Sequence, residues 1–318
     1  MISVWLLAGL GLVILLLAGD ALVKGAVNLS LRIGVPALIV SLTIVAFGTS
    51  APELLISIQA VLDDKPGLAL GNVVGSNTAN ILLVLGLPAM IAALHTSTCD
   101  SKKTYLYMIG ASLLFIALAF RGVFDSLAAV ALLAVLAVVL LDAGRDALRH
   151  QKPCSDAPTE ADDVEGADPD MPWWQIGVFL VLGLVGLPLG ADLLVDNASV
   201  IAKKYGVSDS VIGLTLVALG TSLPELATTV MAAIRRQADV ALGNVIGSNM
   251  FNLLAVIGVT ALFGPIPVGP EFLRFDLWVM LGASLLMVPF VFMKTDIGRA
   301  WGFALTALYV IYVGVVLT

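Results

Sequence analysis

The chain has 318 residues, 59% of them hydrophobic and 12% charged, with a mean hydropathy of +1.04 and a formal net charge of −7. Soluble domains run nearer about 45–50% apolar and about 25% charged, so this balance excludes a soluble domain and reads as an integral membrane protein. The negative charge is local: seven of the 23 acids lie between Asp156 and Asp170.

Ten apolar segments follow one another: 3–27, 35–62, 68–94, 104–120, 123–141, 173–201, 207–234, 239–263, 275–293 and 300–317. They run to about 20 residues or more without strand alternation, so the expected spans are helices, not barrel strands. No basic residue precedes Lys24. The first segment therefore lacks the charged start of a signal peptide and reads as the first transmembrane helix. Several segments exceed the length needed to cross and are expected to tilt or to break at Gly and Pro. The one long connection, about 142–172, starts with Arg145-Asp146-Ala147-Leu148-Arg149-His150 and turns acidic and Pro/Ala-rich. That is the composition of a flexible, solvated linker. It has no EF-hand pattern that would make it a calcium sensor. Trp173 and Trp174 follow it as interfacial anchors. Cys99 and Cys154 fall in predicted loops, form no metal-ligand cluster with His95 and His150, and read as free thiols.

The chain repeats itself. Gly48-Thr49-Ser50-Ala51-Pro52-Glu53 returns as Gly220-Thr221-Ser222-Leu223-Pro224-Glu225, and Gly71-Asn72-Val73-Val74-Gly75-Ser76-Asn77 with Asn80 returns as Gly243-Asn244-Val245-Ile246-Gly247-Ser248-Asn249 with Asn252. The offset is 172 residues throughout, and positions 48–80 and 220–252 share 16 identities in 33. It pairs the first five segments with the last five. Five is odd, so the second half enters the membrane from the opposite side, and the expected fold is all-α, ten transmembrane helices in two inverted five-helix repeats. The first repeat would span 1–142, the acidic linker 143–172 and the second repeat 173–318. Eleven Lys/Arg fall on one side of this arrangement and five on the other. The side with eleven, including the linker, is expected to be cytoplasmic, which leaves both termini outside.

Glu53 and Glu225 are the only acids expected near the middle of a span. A charge there costs about 2.5–3.5 kcal/mol on insertion scales. No Lys, Arg or His lies mid-span to pair with them, so the natural partner is a bound cation. A protonated glutamate bonded to backbone would have to explain two equivalent positions. Pro52 and Pro224 lack an N–H and are expected to release the carbonyls of Gly48 and Gly220. Thr49, Ser50, Thr221 and Ser222 add hydroxyls, while Ser76, Asn77 and Asn80, like Ser248, Asn249 and Asn252, share one helix side. Such an all-oxygen set suits calcium, which takes 6–8 oxygens, and suits sodium; it disfavours zinc and copper. The pairs Gly71/Gly75 and Gly243/Gly247 read as close helix packing. Asp20 and Asp192, also 172 apart, read as helix-end or interfacial acids, with Lys24 four residues after Asp20.

These doubled motifs resemble the α-repeats of the cation/calcium exchanger superfamily, most closely its prokaryotic sodium/calcium exchangers. The resemblance covers both halves. It implies a core of the second, third, seventh and eighth helices holding the ions, across which the first and sixth slide. Carried over by motif, the ligands would be Thr49, Ser50, Glu53, Ser76 and Asn80 with Thr221, Ser222, Glu225, Ser248 and Asn252, plus the backbone carbonyls of Ala46 and Ala218. Some relatives, including potassium users, carry Asp where this chain has Asn252, which argues against potassium coupling. The proton/calcium branch typically places a glutamate where Gly75 and Gly247 stand.

The expected function is a secondary antiporter exchanging sodium for calcium by alternating access, with a proton/calcium or other divalent-cation exchanger as the alternative. An intramembrane enzyme would want a nucleophile–base pair or a water-activating dyad, and a channel a symmetric ring of charges or carbonyls. Calcium and sodium are the expected partners in a cell inner membrane, with no cofactor, nucleic acid or obligatory protein partner.

Overall fold

The computed structural model describes residues 2–149, 167–206 and 218–316. In chain order the helices are α1 (Ile2–Ile33), α2 (Ala37–Thr49), α3 (Ala51–Leu62), α4 (Pro66–Ile91), α5 (Lys102–Ala119), α6 (Ser126–Arg149), α7 (Trp173–Lys204), α8 (Leu223–Ile234), α9 (Ala238–Phe263), α10 (Phe272–Phe292) and α11 (Arg299–Val316). Among the described residues eight helices are long and apolar enough to cross a bilayer, or nine if α2 and α3, bent by 40°, form one span. The expected segment 207–234 lies partly outside the described residues and contributes α8.

Burial sorts the helices into layers. α4 and α9 lie at the centre, and α9 is enclosed along nearly its whole length, from Val240 to Ile257. Around them α1 and α7 expose apolar side chains, such as Leu6 at 68% and Leu17 at 66%, as a lipid-facing surface does when no water drives apolar groups inward. The α1 and α7 backbones nearly touch: a Cβ placed on Gly11 would stand 2.6 Å from Leu194 N. α9 approaches α2 in the same way, since a Cβ on Gly243 would meet Leu38 O at 2.6 Å and one on Gly247 the Ala46 Cβ at 2.5 Å. The packing expected of Gly243/Gly247 is therefore present, with no room for a methyl group, whereas a Cβ on Gly71 would meet only the Phe272 ring at 3.9 Å and one on Gly75 nothing within 4 Å, so the expected close packing of Gly71/Gly75 is absent.

The 172-residue period is written into the backbone. α3 and α8 begin and end 172 apart, as do α4 and α9 and the π-turns inside them, Asn80–Val84 and Asn252–Val256. Left-handed φ values pair likewise: Gly34 at 69° with Gly206 at 83°, Asp64 at 58° with Arg236 at 57°, and Gly122 at 81° with Lys294 at 53°. Asp64 and Arg236 close α3 and α8 in the same way, with Lys65 N bonded to Ala60 O and Gln237 N to Ala232 O, both at 2.8 Å. This is the helix-ending pattern that favours glycine, held here by non-glycine residues. Short bridges tie the loops: Val123–Phe124 against Ile266–Pro267, and Leu94 against Ile297.

Two boundaries differ from expectation. The segment 35–62 is two helices, because the chain breaks at Ser50. The fifth apolar segment, α6, continues to Arg149, past the expected start of the linker at 143. Asp142 and Asp146 fall one turn apart on α6, and the Lys103 ammonium of α5 bridges both, holding the extra turn in place. The linker's far end docks on α1, where Asp168 N donates to Asn28 Oδ1 at 2.8 Å and Arg32 to Pro169 O at 3.3 Å. The acidic stretch 150–166, with Cys154, lies outside the described residues. Cys99 is buried beside a short turn, Thr96–Thr98.

Candidate cation site

The site begins with two helix breaks. Ser50 (φ −84°, ψ 4°) and Ser222 (φ −87°, ψ 1°) leave the helical path, and α3 and α8 then start with Pro52 and Pro224 in their first turn. Proline is pre-shaped for that position. Glu53 and Glu225 follow at once, so each carboxylate sits at a helix N-terminus, where the free N–H groups favour negative charge. Both are buried, at 1% and 0% exposure. No lysine, arginine or histidine is buried among the described residues.

Each break is braced from the neighbouring helix by an asparagine. Asn72 Nδ2 donates to the Glu53 carbonyl at 3.2 Å and to Ser57 Oγ at 3.1 Å. Asn244 Nδ2 donates to the Glu225 carbonyl and to Thr229 Oγ1, both at 3.3 Å. The other end of each amide accepts from the opposite repeat: Thr221 Oγ1 to Asn72 Oδ1 at 3.4 Å, and Thr49 Oγ1 to Asn244 Oδ1 at 3.2 Å. These two asparagines set the glutamate backbones and join the halves. The sequence reading gave them no role. The signal was there, since Asn72 and Asn244, and the hydroxyl residues Ser57 and Thr229, are each 172 apart.

Further bonds cross between repeats. The Ser50 hydroxyl of the first repeat and the Ser248 hydroxyl of the second both donate to Glu225 Oε1 at 3.4 Å, and Thr49 Oγ1 lies 3.4 Å from Ser248 Oγ. Asn77 Nδ2 donates to Asn249 O at 3.1 Å, and Asn249 Nδ2 returns a bond to Asn77 O at 3.3 Å.

What remains is a set of buried oxygens without a hydrogen-bond partner: both carboxylate oxygens of Glu53, Oε2 of Glu225, the hydroxyls of Ser76 and Ser222, and the Oδ1 atoms of Asn77, Asn80 and Asn252. Leaving a buried polar atom unpaired costs about 1–3 kcal/mol, and more for a charged one. Oxygens from both repeats, two of them on glutamates, make up a donor set that a hard cation of calcium or sodium size would satisfy.

Thr49, Ser50, Glu53, Ser76, Asn80, Thr221, Ser222, Glu225, Ser248 and Asn252 are all buried. At the first break Ser50 N donates to the Ala46 carbonyl at 3.0 Å, which leaves that oxygen a second lone pair for an ion. In the second repeat Ala218 opens a single helical turn, Ala218–Gly220, and Ser222 N bonds instead to Leu219 O at 3.0 Å.

The family model described as sodium/calcium exchanger protein matches residues 3–143 and 176–318. The sodium/calcium exchanger MaX1 of Methanosarcina acetivorans is 32% identical, with 95% of each chain covered. The inner membrane protein YrbG of Escherichia coli is also 32% identical, over 95% of this chain and 93% of that one. A solved structure of the sodium–calcium exchanger NCX_Mj, soaked with Na+ and Sr2+, superposes with a TM-score of 0.83 at 32% identity, covering 99% of this chain and 98% of that one.

Proposed function

Because the chain belongs to the sodium/calcium exchanger protein family, we propose that this multi-pass membrane antiporter moves calcium against sodium, using the buried Glu53/Glu225 cage as its single alternating site. The observation that carries the reading is the set of unpartnered oxygens around two carboxylates with no buried basic side chain beside them. Calcium and sodium are substrates here, and no resident cofactor is invoked. We place the protein in a cell inner membrane with both termini outside, from the distribution of Lys and Arg in its sequence.

The charges suggest how transport is coupled. With both glutamates ionised the cage carries −2, which one calcium ion neutralises. Two sodium ions do the same, and a third can sit on the neutral hydroxyl and amide oxygens. Empty, the cage holds two carboxylates in a medium that cannot solvate them. The empty carrier should then cross between its two faces slowly and the loaded forms quickly, which makes exchange obligatory. An enzyme reading has little support, since among the described residues no histidine or thiol stands beside the carboxylates to act as base or nucleophile.

The test imposes a sodium gradient or a proton gradient, one at a time, across vesicles holding the purified protein. Calcium uptake should follow an outward sodium gradient and external sodium should compete with it. Uptake driven by protons and indifferent to sodium would replace this reading with proton/calcium exchange.

A further inference from the structure

Asn80 is a carboxamide, and only one of its two ends can face a cation. In the structure its nitrogen is held: Asn80 Nδ2 donates to Asn249 Oδ1 at 3.0 Å. Asn80 Oδ1 is buried and has no hydrogen-bond partner. Asn249 is fixed in turn, because its own nitrogen donates across to Asn77 O at 3.3 Å. The chain Asn80, Asn249, Asn77 therefore has one direction. Each amide nitrogen is spent on the next group, which leaves the Asn80 oxygen as the end free for an ion. The bond related by the 172-residue offset would run from Asn252 Nδ2 to Asn77 Oδ1, and it is not formed: both atoms are buried and unpartnered. Only the first-repeat amide is pre-oriented.

We propose that Asn249 is a positioning residue for calcium binding, acting through Asn80: it holds the amide nitrogen so that Oδ1, not NH2, faces the site. The proposal rests on the exchanger reading above. Without Asn249 Oδ1 the Asn80 amide can flip and present a donor to the cation. Loss of a group that orients a metal ligand typically weakens metal affinity by about 10- to 100-fold.

The experiment is a double-mutant cycle on calcium affinity, measured with radioactive calcium on purified, folded protein. Asn249→Ala and Asn80→Ala should each weaken calcium binding about tenfold or more, and the double variant should be no weaker than Asn80→Ala alone. A structural role of Asn249 in helix packing would instead add its loss in both backgrounds, and that result overturns the proposal, as does an unchanged affinity in Asn249→Ala. If Asn249→Ala does not fold, Asn249→Leu decides: it keeps the volume and removes the oxygen that accepts from Asn80, so calcium affinity should fall about tenfold, and an unchanged affinity rejects the idea. Absence of calcium binding by the unmodified protein would reject the exchanger reading itself and is thereby distinguished from a failure of this proposal alone.

Discussion

Arg235 Nε lies 2.5 Å from Asp20 Oδ1, an ion pair that ties the long helix α1 to the end of α8, 215 residues further along the chain. Beside it α1 meets α8 without a side chain between them, since a Cβ on Gly19 would stand 3.0 Å from the Ala227 carbonyl. α8 is buried along most of its length, whereas the related α3 exposes Leu55 at 68% and Leu62 at 58%. The offset places Asp192 and Asp63 where Asp20 and Arg235 stand. Two acids cannot pair, and Asp63 accepts from Gln59 instead, at 2.8 Å. The repeats are thus alike in backbone and unlike in this contact.

An unequal contact of this kind should bias the carrier toward the conformation that contains it. Asp20→Asn removes the charge attraction and keeps the shape. A partly exposed ion pair is worth about 0.2–1 kcal/mol, so the ratio of the two facing states should shift by about 1.4- to fivefold. Half-saturating calcium measured separately on the two faces of oriented vesicles should move in opposite directions. Values that stay fixed on both faces would show that the pair does not bias the alternation.

The helical, membrane-spanning character and the burial of the repeated polar residues were legible because each residue involved is unusual alone and repeats at one offset: a mid-span glutamate, the proline before it, the asparagine-rich turn. Asp20 was not. Read locally it has Lys24 one turn away, yet Lys24 lies 5.6 Å over the Phe179 ring and Asp20 pairs across the molecule. A long-range contact between unlike positions leaves no period to detect. The break at Ser50 was half legible. Proline marked the place, but the break itself lies in φ and ψ at Ser50, which composition does not specify.

Potassium should be dispensable. Asn80 and Asn252, both buried, are neutral amides where a third carboxylate would add the charge to hold an extra monovalent cation. Calcium uptake into sealed vesicles free of potassium should proceed at the rate seen with potassium present. An absolute requirement for potassium would mean that other oxygens build a site for it.

The acidic connection should face the cytoplasm, and its cysteine tests this. Cys154 lies within it, while Cys99 is buried, and that burial pushes its thiol well above the ordinary range. A thiol held protonated reacts slowly, so labelling reports on Cys154. A membrane-impermeant maleimide should leave intact cells unlabelled and label inside-out vesicles. The opposite pattern would invert the orientation and place both termini inside.

The last expectation concerns the two carboxylates and follows from charge alone. Glu53→Gln or Glu225→Gln leaves a cage of −1, too little to neutralise calcium. Removing one member of a buried charge arrangement costs about 3–5 kcal/mol, which is about a hundredfold or more in affinity. Calcium exchange should therefore fall by at least that factor in either variant. Folding should survive, because glutamine keeps the shape and the braces from Asn72 and Asn244 grip the backbone carbonyls of 53 and 225, not their side chains. Protons act on the same charge. Each proton bound to a carboxylate takes the place of cation charge, so calcium exchange should decline as pH is lowered and recover as it is raised. Sodium should oppose calcium in the unmodified protein for the same reason. In vesicles, the decisive measurement is calcium exchange of the folded Glu53→Gln protein against the parent: an equal rate would show that this carboxylate is not needed to hold the ion.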